Sequence, residues 1–158
     1  MPRSRSKLYP DFKPSNDNER FMLEAIKEAE KAIDLGECPI GCVLVKDGKI
    51  YVRSHNLRLT RGNAIAHAEV IAIDKACKKL GDWRLEDFDM CVTLEPCTMC
   101  AGAIGWAQIP RIVYGAPDEK RGYHDLAPHA MHPKATVVSG ILQDECRQLM
   151  QTFFKSKR

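Results

Sequence analysis

Residues 89–116 read DMCVTLEPCTMCAGAIGWAQIPRIVYGA and combine two short apolar runs with a longer segment between them. DMCVTL and RIVYGA have the length and composition of buried strands, and TMCAGAIGWAQI predicts a helix. A strand, a helix and a second strand in succession are typical of a sheet covered by helices. This stretch therefore predicts an α/β fold.

The flanking sequence continues this pattern in both directions. Residues 17–35 predict an amphipathic helix, and IGCVLVK and KIYVRSH on either side of Asp47-Gly48 predict a β-hairpin. AHAEVIAIDKACKKL predicts a second helix, ATVVSGI a last strand and residues 142–158 a closing helix. Together these segments predict a mixed sheet of about five strands with helices on both faces.

The chain is long enough for one domain with a substantial core, since it has 158 residues. We expect residues 18–158 to form that single domain and residues 1–17 to be a flexible basic arm. Residues 116–134 form the one long irregular connection. Long connections inside compact domains are usually functional or disordered.

Composition excludes some classes of protein. With 44% hydrophobic and 28% charged residues, the chain has no apolar run of the length that spans a bilayer, so we expect no membrane partner. Seven cysteines are an odd set, which favours a reducing cytoplasm over a disulfide scaffold. The net charge of +3 permits nucleic acid as a partner without requiring it. The local basic clusters are Arg3, Arg5 and Lys7 at one end and Lys155, Lys157 and Arg158 at the other.

Cys97 and Cys100 are three positions apart at the predicted start of a helix. Such residues share one helix face, so both sulfurs can reach one ion. A helix N-terminus also favours the thiolate that a metal requires. His67 opens the other helix that follows a strand, and the two N-termini are expected to meet in a crevice at the strand ends. The pattern predicts a His-Cys-Cys zinc site.

Three protein ligands favour a catalytic zinc, because a structural site takes a fourth ligand from the protein. Glu69 follows His67 by two positions. If His67 lies at or just before the helix start, both side chains can face the crevice. Glu69 then fits a general acid/base that moves protons for the attacking water. The sequence therefore contains the groups needed for hydrolysis.

Two other interpretations of these residues remain open. Zinc could only join two helices, without catalysis. The candidates for its fourth ligand would be Cys91, His124, His129 and His132. Cys97 and Cys100 could instead be a thiol redox pair, which would leave His67 and Glu69 without a role. The other cysteines fit small core residues. They are Cys38, Cys42, Cys77, Cys91 and Cys146.

The motifs HAE and PCTMC match the H-x-E and P-C-x-x-C signature of the zinc-dependent cytidine and deoxycytidylate deaminase superfamily. Together with ECPIGCVLVKDGKI, SHN, VTLEPCTMCAGAI and RIVYGA, they resemble its tRNA-specific adenosine deaminase branch over residues 18–158. The resemblance implies a three-layer α/β/α sandwich with a central mixed five-stranded sheet, the cytidine deaminase-like fold. It also implies one zinc ion per chain and a homodimer.

The resemblance also implies roles for particular residues. The positions that match the family's zinc ligands are His67, Cys97 and Cys100. Glu69 matches the catalytic proton shuttle, and Asn56 in SHN matches the asparagine that hydrogen-bonds the target base. Ala68 matches the residue whose backbone contacts the reacting group. Asp118 matches an aspartate near the flipped nucleotide in the tRNA-acting members.

The activity that the resemblance implies is hydrolytic deamination of adenosine to inosine in a tRNA anticodon loop. Residues 123–134 depart from that branch, which typically has small residues ending in Gly-Ser and then an Asn-His pair. This segment helps to shape the pocket. The alternative is therefore a small-molecule deaminase acting on a free base, nucleoside or nucleotide, such as guanine, adenine, cytosine or cytidine. In that case we expect Tyr123, His124 or His129 to reach the ligand.

Overall fold

The computed structural model describes residues 5–157, so Arg3 and Arg158 of the basic clusters and the first four residues of the predicted arm lie outside it. The elements in chain order are α1 (Asp17–Asp34), β1 (Gly41–Lys46), β2 (Lys49–His55), α2 (Arg58–Arg61), α3 (Ala68–Leu80), β3 (Phe88–Leu94), α4 (Thr98–Ala107), β4 (Arg111–Ala116), α5 (Tyr123–Leu126), β5 (Thr136–Val138) and α6 (Gln143–Ser156). No helix among the described residues is long and apolar enough to cross a membrane.

The five strands form one sheet in the order β2-β1-β3-β4-β5. Strand β1 is antiparallel to both of its neighbours, whereas β3, β4 and β5 run parallel. The hairpin between β1 and β2 turns at Asp47 and Gly48, which have φ angles of 54° and 72°. Two successive positive φ angles are what a two-residue hairpin turn requires. The predicted mixed five-stranded sheet is confirmed.

Helices cover both faces of this sheet. Helices α3 and α4 pack on one face through residues such as Ala72 and Ile104. Helices α1 and α6 pack on the other face through residues such as Met22 and Leu149. Helix α1 approaches β1 so closely that a Cβ atom on Gly41 would lie 1.9 Å from the carbonyl oxygen of Ala25. The predicted three-layer α/β/α sandwich is therefore confirmed.

Three local features differ from the sequence pattern. The single-turn helices α2 and α5 occur where loops were predicted, and β5 spans three residues instead of the seven of ATVVSGI. A buried carboxylate accounts for α2, because Glu37 accepts hydrogen bonds from the backbone N–H groups of Leu59 and Thr60. This partner is distant in sequence, so no local pattern could reveal it.

The segment before α1 is attached to the domain. Residues 6–8 donate three hydrogen bonds to the buried carboxylate of Glu30 on α1. The hydroxyl of Tyr9 donates to Oε1 of Gln148 on α6 at 2.8 Å. These contacts attach residues 6–9 to α1 and α6, and the flexible arm over residues 1–17 stays a prediction.

We expect Glu30→Ala to lower the free energy of unfolding by about 1–3 kcal/mol, because its donors lose a charged acceptor in a buried site. Urea denaturation measures this loss. Asp34→Ala is the control, since Asp34 forms an exposed ion pair with Lys7 of the same segment. The control should unfold at the wild-type urea concentration. Equal losses in the two variants would contradict the anchoring role of Glu30.

Candidate active site

The N-termini of α3 and α4 meet at one end of the sheet. His67 is the N-cap of α3 and Cys97 is the N-cap of α4, both with extended backbone. Nδ1 of His67 lies 3.7 Å from Sγ of Cys97 and 3.5 Å from Sγ of Cys100. The structure therefore brings together the three residues that the sequence predicted as metal ligands.

These distances fit a tetrahedral zinc ion. With zinc–sulfur bonds of about 2.3 Å and a zinc–nitrogen bond of about 2.0 Å, tetrahedral ligands lie roughly 3.6 Å apart. Among residues 5–157, His67, Cys97 and Cys100 form the one such group of metal-binding side chains. Cys91 lies in the core on the face covered by α1, where its thiol contacts Sδ of Met22. None of the candidate fourth ligands of a structural zinc belongs to this group. These candidates were Cys91, His124, His129 and His132.

The protonation of the two thiols also suits metal binding. A hydrogen bond from Cys100 outweighs burial and, with His67, lowers the pKa of Cys97 to about 4. The same interaction, together with burial, raises the pKa of the Cys100 thiol. Cys97 is thus a thiolate at neutral pH, and a bound zinc ion would displace the proton of Cys100, because zinc takes cysteine as the thiolate.

Glu69 lies in the first turn of α3, in the wall of the same cavity as His67 and Cys97. Its side chain is buried, and this burial raises the pKa of the carboxyl group to about 7. A carboxyl group with a pKa near neutrality can both accept and donate a proton. Glu69 is not a member of the His-Cys-Cys group, which leaves it available for proton transfer.

The cavity beside the metal-binding group has a volume of about 290 Å³. Asn56, which follows β2, and Asp118, which follows β4, both lie in its wall. Oδ1 of Asp118 also accepts the backbone N–H groups of Lys120 and Arg121, each at 3.1 Å. Ala68 is the first residue of α3 but does not line the cavity, so its contact with a substrate stays a prediction.

Sequence reasoning missed most of the wall that α6 provides. Met150, Phe153 and Phe154 of this helix line the cavity. The sequence predicted a closing helix over residues 142–158 but gave no reason to place that helix at the site. The adjacent aromatic pair just before a basic terminus was the one available signal. Glu95, discussed below, also lines the cavity and was missed.

The divergent segment at residues 123–134 does not enter this cavity. Tyr123 is buried in the core beneath α3 and α4. His129 lines a separate surface cavity with Pro128 and Met131. From the loop after β4, the cavity takes only residues that precede this segment, Asp118 and Arg121.

Residues 15–116 match the family model of the cytidine and deoxycytidylate deaminase zinc-binding region. The chain belongs to this family. The deaminase is accordingly a zinc-dependent enzyme, and the resemblance and the cofactor predicted from HAE and PCTMC are confirmed. A redox function for Cys97 and Cys100 is not needed to explain the site.

Individual relatives show which members of the family the chain is similar to. The deaminase is 49% identical over 146 residues to the tRNA-specific adenosine deaminase of Bacillus subtilis. This alignment covers 89% of this chain and 91% of the relative. A solved structure from work on A-to-I editing by tRNA:A34 deaminases is 42% identical, with a TM-score of 0.77, and covers 82% of this chain and 98% of that one. A guanine deaminase structure from Bacillus subtilis is 38% identical, with a TM-score of 0.61, and covers 72% of this chain and 70% of that one.

Proposed function

We propose that the protein converts adenosine to inosine in the anticodon loop of a tRNA. The observation that carries this proposal is the 49% identity to a tRNA-specific adenosine deaminase over nearly the whole of both chains. The similarity to guanine deaminase is lower and covers less of each chain. Both of these relatives deaminate a purine, so the difference between the two identities bears on which purine compound is the substrate.

His67, Cys97 and Cys100 would hold the zinc ion, one per chain. When bound, zinc supplies a Lewis acid that activates water for attack on C6 of adenine. Glu69 accepts one proton from that water and passes it to ring nitrogen N1, then accepts the remaining proton from the new C6 hydroxyl group and passes it to the leaving amine. A C6–O bond forms, the C6–N bond breaks, and ammonia leaves.

Asn56 and Asp118 serve substrate binding in this proposal. Asn56 is buried in the cavity wall, so its amide can hydrogen-bond the edge of a base that has swung out of the RNA. Asp118 lies further along the loop after β4, where neighbouring nucleotides would pass. The backbone of Ala68 at the start of α3 is the proposed contact to the reacting group.

We expect Asn56→Ala to lower kcat/KM for anticodon RNA by about 10–100-fold, because a base edge would lose its hydrogen-bond partner in a buried site. Steady-state kinetics measures this loss, and zinc content should stay at the wild-type level. Gln151→Ala is the control, since Gln151 carries the same amide group and is exposed on α6. Wild-type kcat/KM in Asn56→Ala would contradict its assigned role.

The alternative substrate class is a free base, nucleoside or nucleotide. The similarity to guanine deaminase favours it, but none of the three residues expected to reach such a ligand, Tyr123, His124 and His129, lines the cavity. An ammonia-release screen over guanine, adenine, cytosine, cytidine, adenosine, AMP and an anticodon stem-loop RNA tests the choice. We expect release from the RNA alone, and rapid release from a free compound without release from RNA would support the alternative.

We also propose that the protein forms a homodimer and that it is located in the cytoplasm. Trp106 on α4 is 83% exposed, and Trp83 and Met99 are exposed as well, so this part of the surface offers apolar area for a second copy. A reducing compartment would keep Cys97 and Cys100 available to zinc. Sedimentation analysis of the zinc-loaded protein tests the dimer.

A further inference from the structure

Glu95 is a buried carboxylate at the end of β3 that the chemistry above does not use. Its Oε1 accepts the backbone N–H of Asp118 at 3.1 Å, and its Oε2 accepts the backbone N–H of His124 at 3.0 Å. Within residues 5–157 it forms no ion pair. Both oxygens of this side chain therefore bind one segment, residues 117–124, which includes the first two residues of α5 and which we call the mouth loop.

The mouth loop folds tightly around this carboxylate. A Cβ atom on Gly122 would lie 2.2 Å from Oε2 of Glu95 and 2.5 Å from the carbonyl oxygen of Asp118. Gly122 also forms an isolated β-bridge with Cys97, and the N–H of Tyr123 donates to the carbonyl oxygen of Pro96 at 2.9 Å. The loop is thus attached to the short segment that leads into the zinc-binding helix.

These contacts connect two parts of the site. Cys97 follows Glu95 by two residues, and the mouth loop places Asp118 and Arg121 in the cavity wall. A carboxylate suits this junction because it offers two acceptors to two N–H donors, whereas a glutamine offers one acceptor and places its own N–H groups against the other donor.

We propose that Glu95 is a positioning residue that holds the mouth loop, and with it Asp118 and Arg121, at a fixed distance from the zinc-binding residues. It acts through backbone hydrogen bonds and touches no reacting atom. The proposal deepens the proposed function and rests on it for the substrate, because the loop would then set how anticodon RNA enters the site. Loss of Glu95 should weaken RNA binding more than the chemical step.

Amide hydrogen exchange tests the loop contact without any substrate. In zinc-loaded Glu95→Gln, at least one of the two backbone amides, that of Asp118 or that of His124, should exchange about tenfold faster or more, because it loses its charged acceptor. Glu119→Gln is the matched control, since Glu119 is exposed on the same loop, and it should exchange at the wild-type rate. Wild-type protection of both amides in Glu95→Gln would overturn the proposal.

Kinetics on anticodon stem-loop RNA tests the consequence for binding. Glu95→Gln should raise KM about tenfold or more while kcat stays within about threefold and zinc content is unchanged. A fall in kcat as large as the rise in KM, or a loss of zinc, would overturn the positioning role. If the intact protein makes no inosine in any RNA, the proposed function fails, and the exchange experiment still decides the role of Glu95.

Gly122→Ala provides a second variant if Glu95→Gln does not fold. Its added Cβ should displace the loop and raise KM in the same way, again with zinc retained. A wild-type KM in zinc-loaded Gly122→Ala would overturn the proposal, because the added Cβ has no room unless the mouth loop moves.

Discussion

Glu69→Gln should retain about one zinc ion per chain and lose about 10³-fold or more in turnover, because it removes the general acid/base. The amide fills the same buried space at the start of α3 but can no longer accept a proton from water. Because Glu69 lies outside the His-Cys-Cys group, the metal should remain bound. Metal analysis and single-turnover kinetics on the same preparation measure the two effects.

Glu86→Gln is the matched control for this substitution, since Glu86 is an exposed glutamate before β3. It makes the same change of charge on the surface and should keep wild-type turnover. If Glu69→Gln turned over at a near-normal rate, the proton transfer would have to be assigned to another group. If it lost its zinc, Glu69 would have to be counted as a ligand.

Cys97→Ala should lose zinc, and all turnover with it. Removing an outer partner of a metal ligand typically weakens binding by 10–100-fold, so removing one of three ligands should weaken it by more than about 100-fold. The variant should also unfold at lower temperature than the zinc-loaded wild type, since bound metal stabilises the folded state. A competition titration with a chelator measures the affinity.

Cys77→Ala separates the loss of a ligand from the loss of a thiol. Cys77 lies near the end of α3, outside the metal-binding group, and is only partly buried. This variant should hold zinc as tightly as the wild type. A full complement of tightly bound zinc in Cys97→Ala would show that another residue completes the site.

The fold was predictable because its patterns are local. Strand-length apolar runs, the Asp47-Gly48 turn and helical spacing each act over a few residues, and they located all five strands and the four long helices. The short helix α2 was not predictable, because it depends on the carboxylate of Glu37 some twenty residues away in sequence. Local patterns likewise gave no indication that residues 6–8 attach to Glu30.

The zinc-binding part of the site was predictable for a related reason. His67 and Cys97 are helix N-caps that follow strands of one sheet, so topology alone brings them together. The walls contributed by Phe153 and Glu95 depend on how α6 and the mouth loop fold back over the sheet. A glutamate before a proline looks like a solvated residue in the sequence, and its burial follows only from the loop that wraps around it.

The position of inosine in RNA most directly tests whether the protein deaminates adenosine in the anticodon loop of a tRNA. A tRNA with adenosine at the wobble position of its anticodon is incubated with the zinc-loaded protein and then mapped by nuclease digestion and mass spectrometry. We expect inosine at that one position, in an amount equal to the ammonia released, and none with Glu69→Gln. No inosine in the RNA, together with rapid ammonia release from free guanine or adenosine, would contradict it.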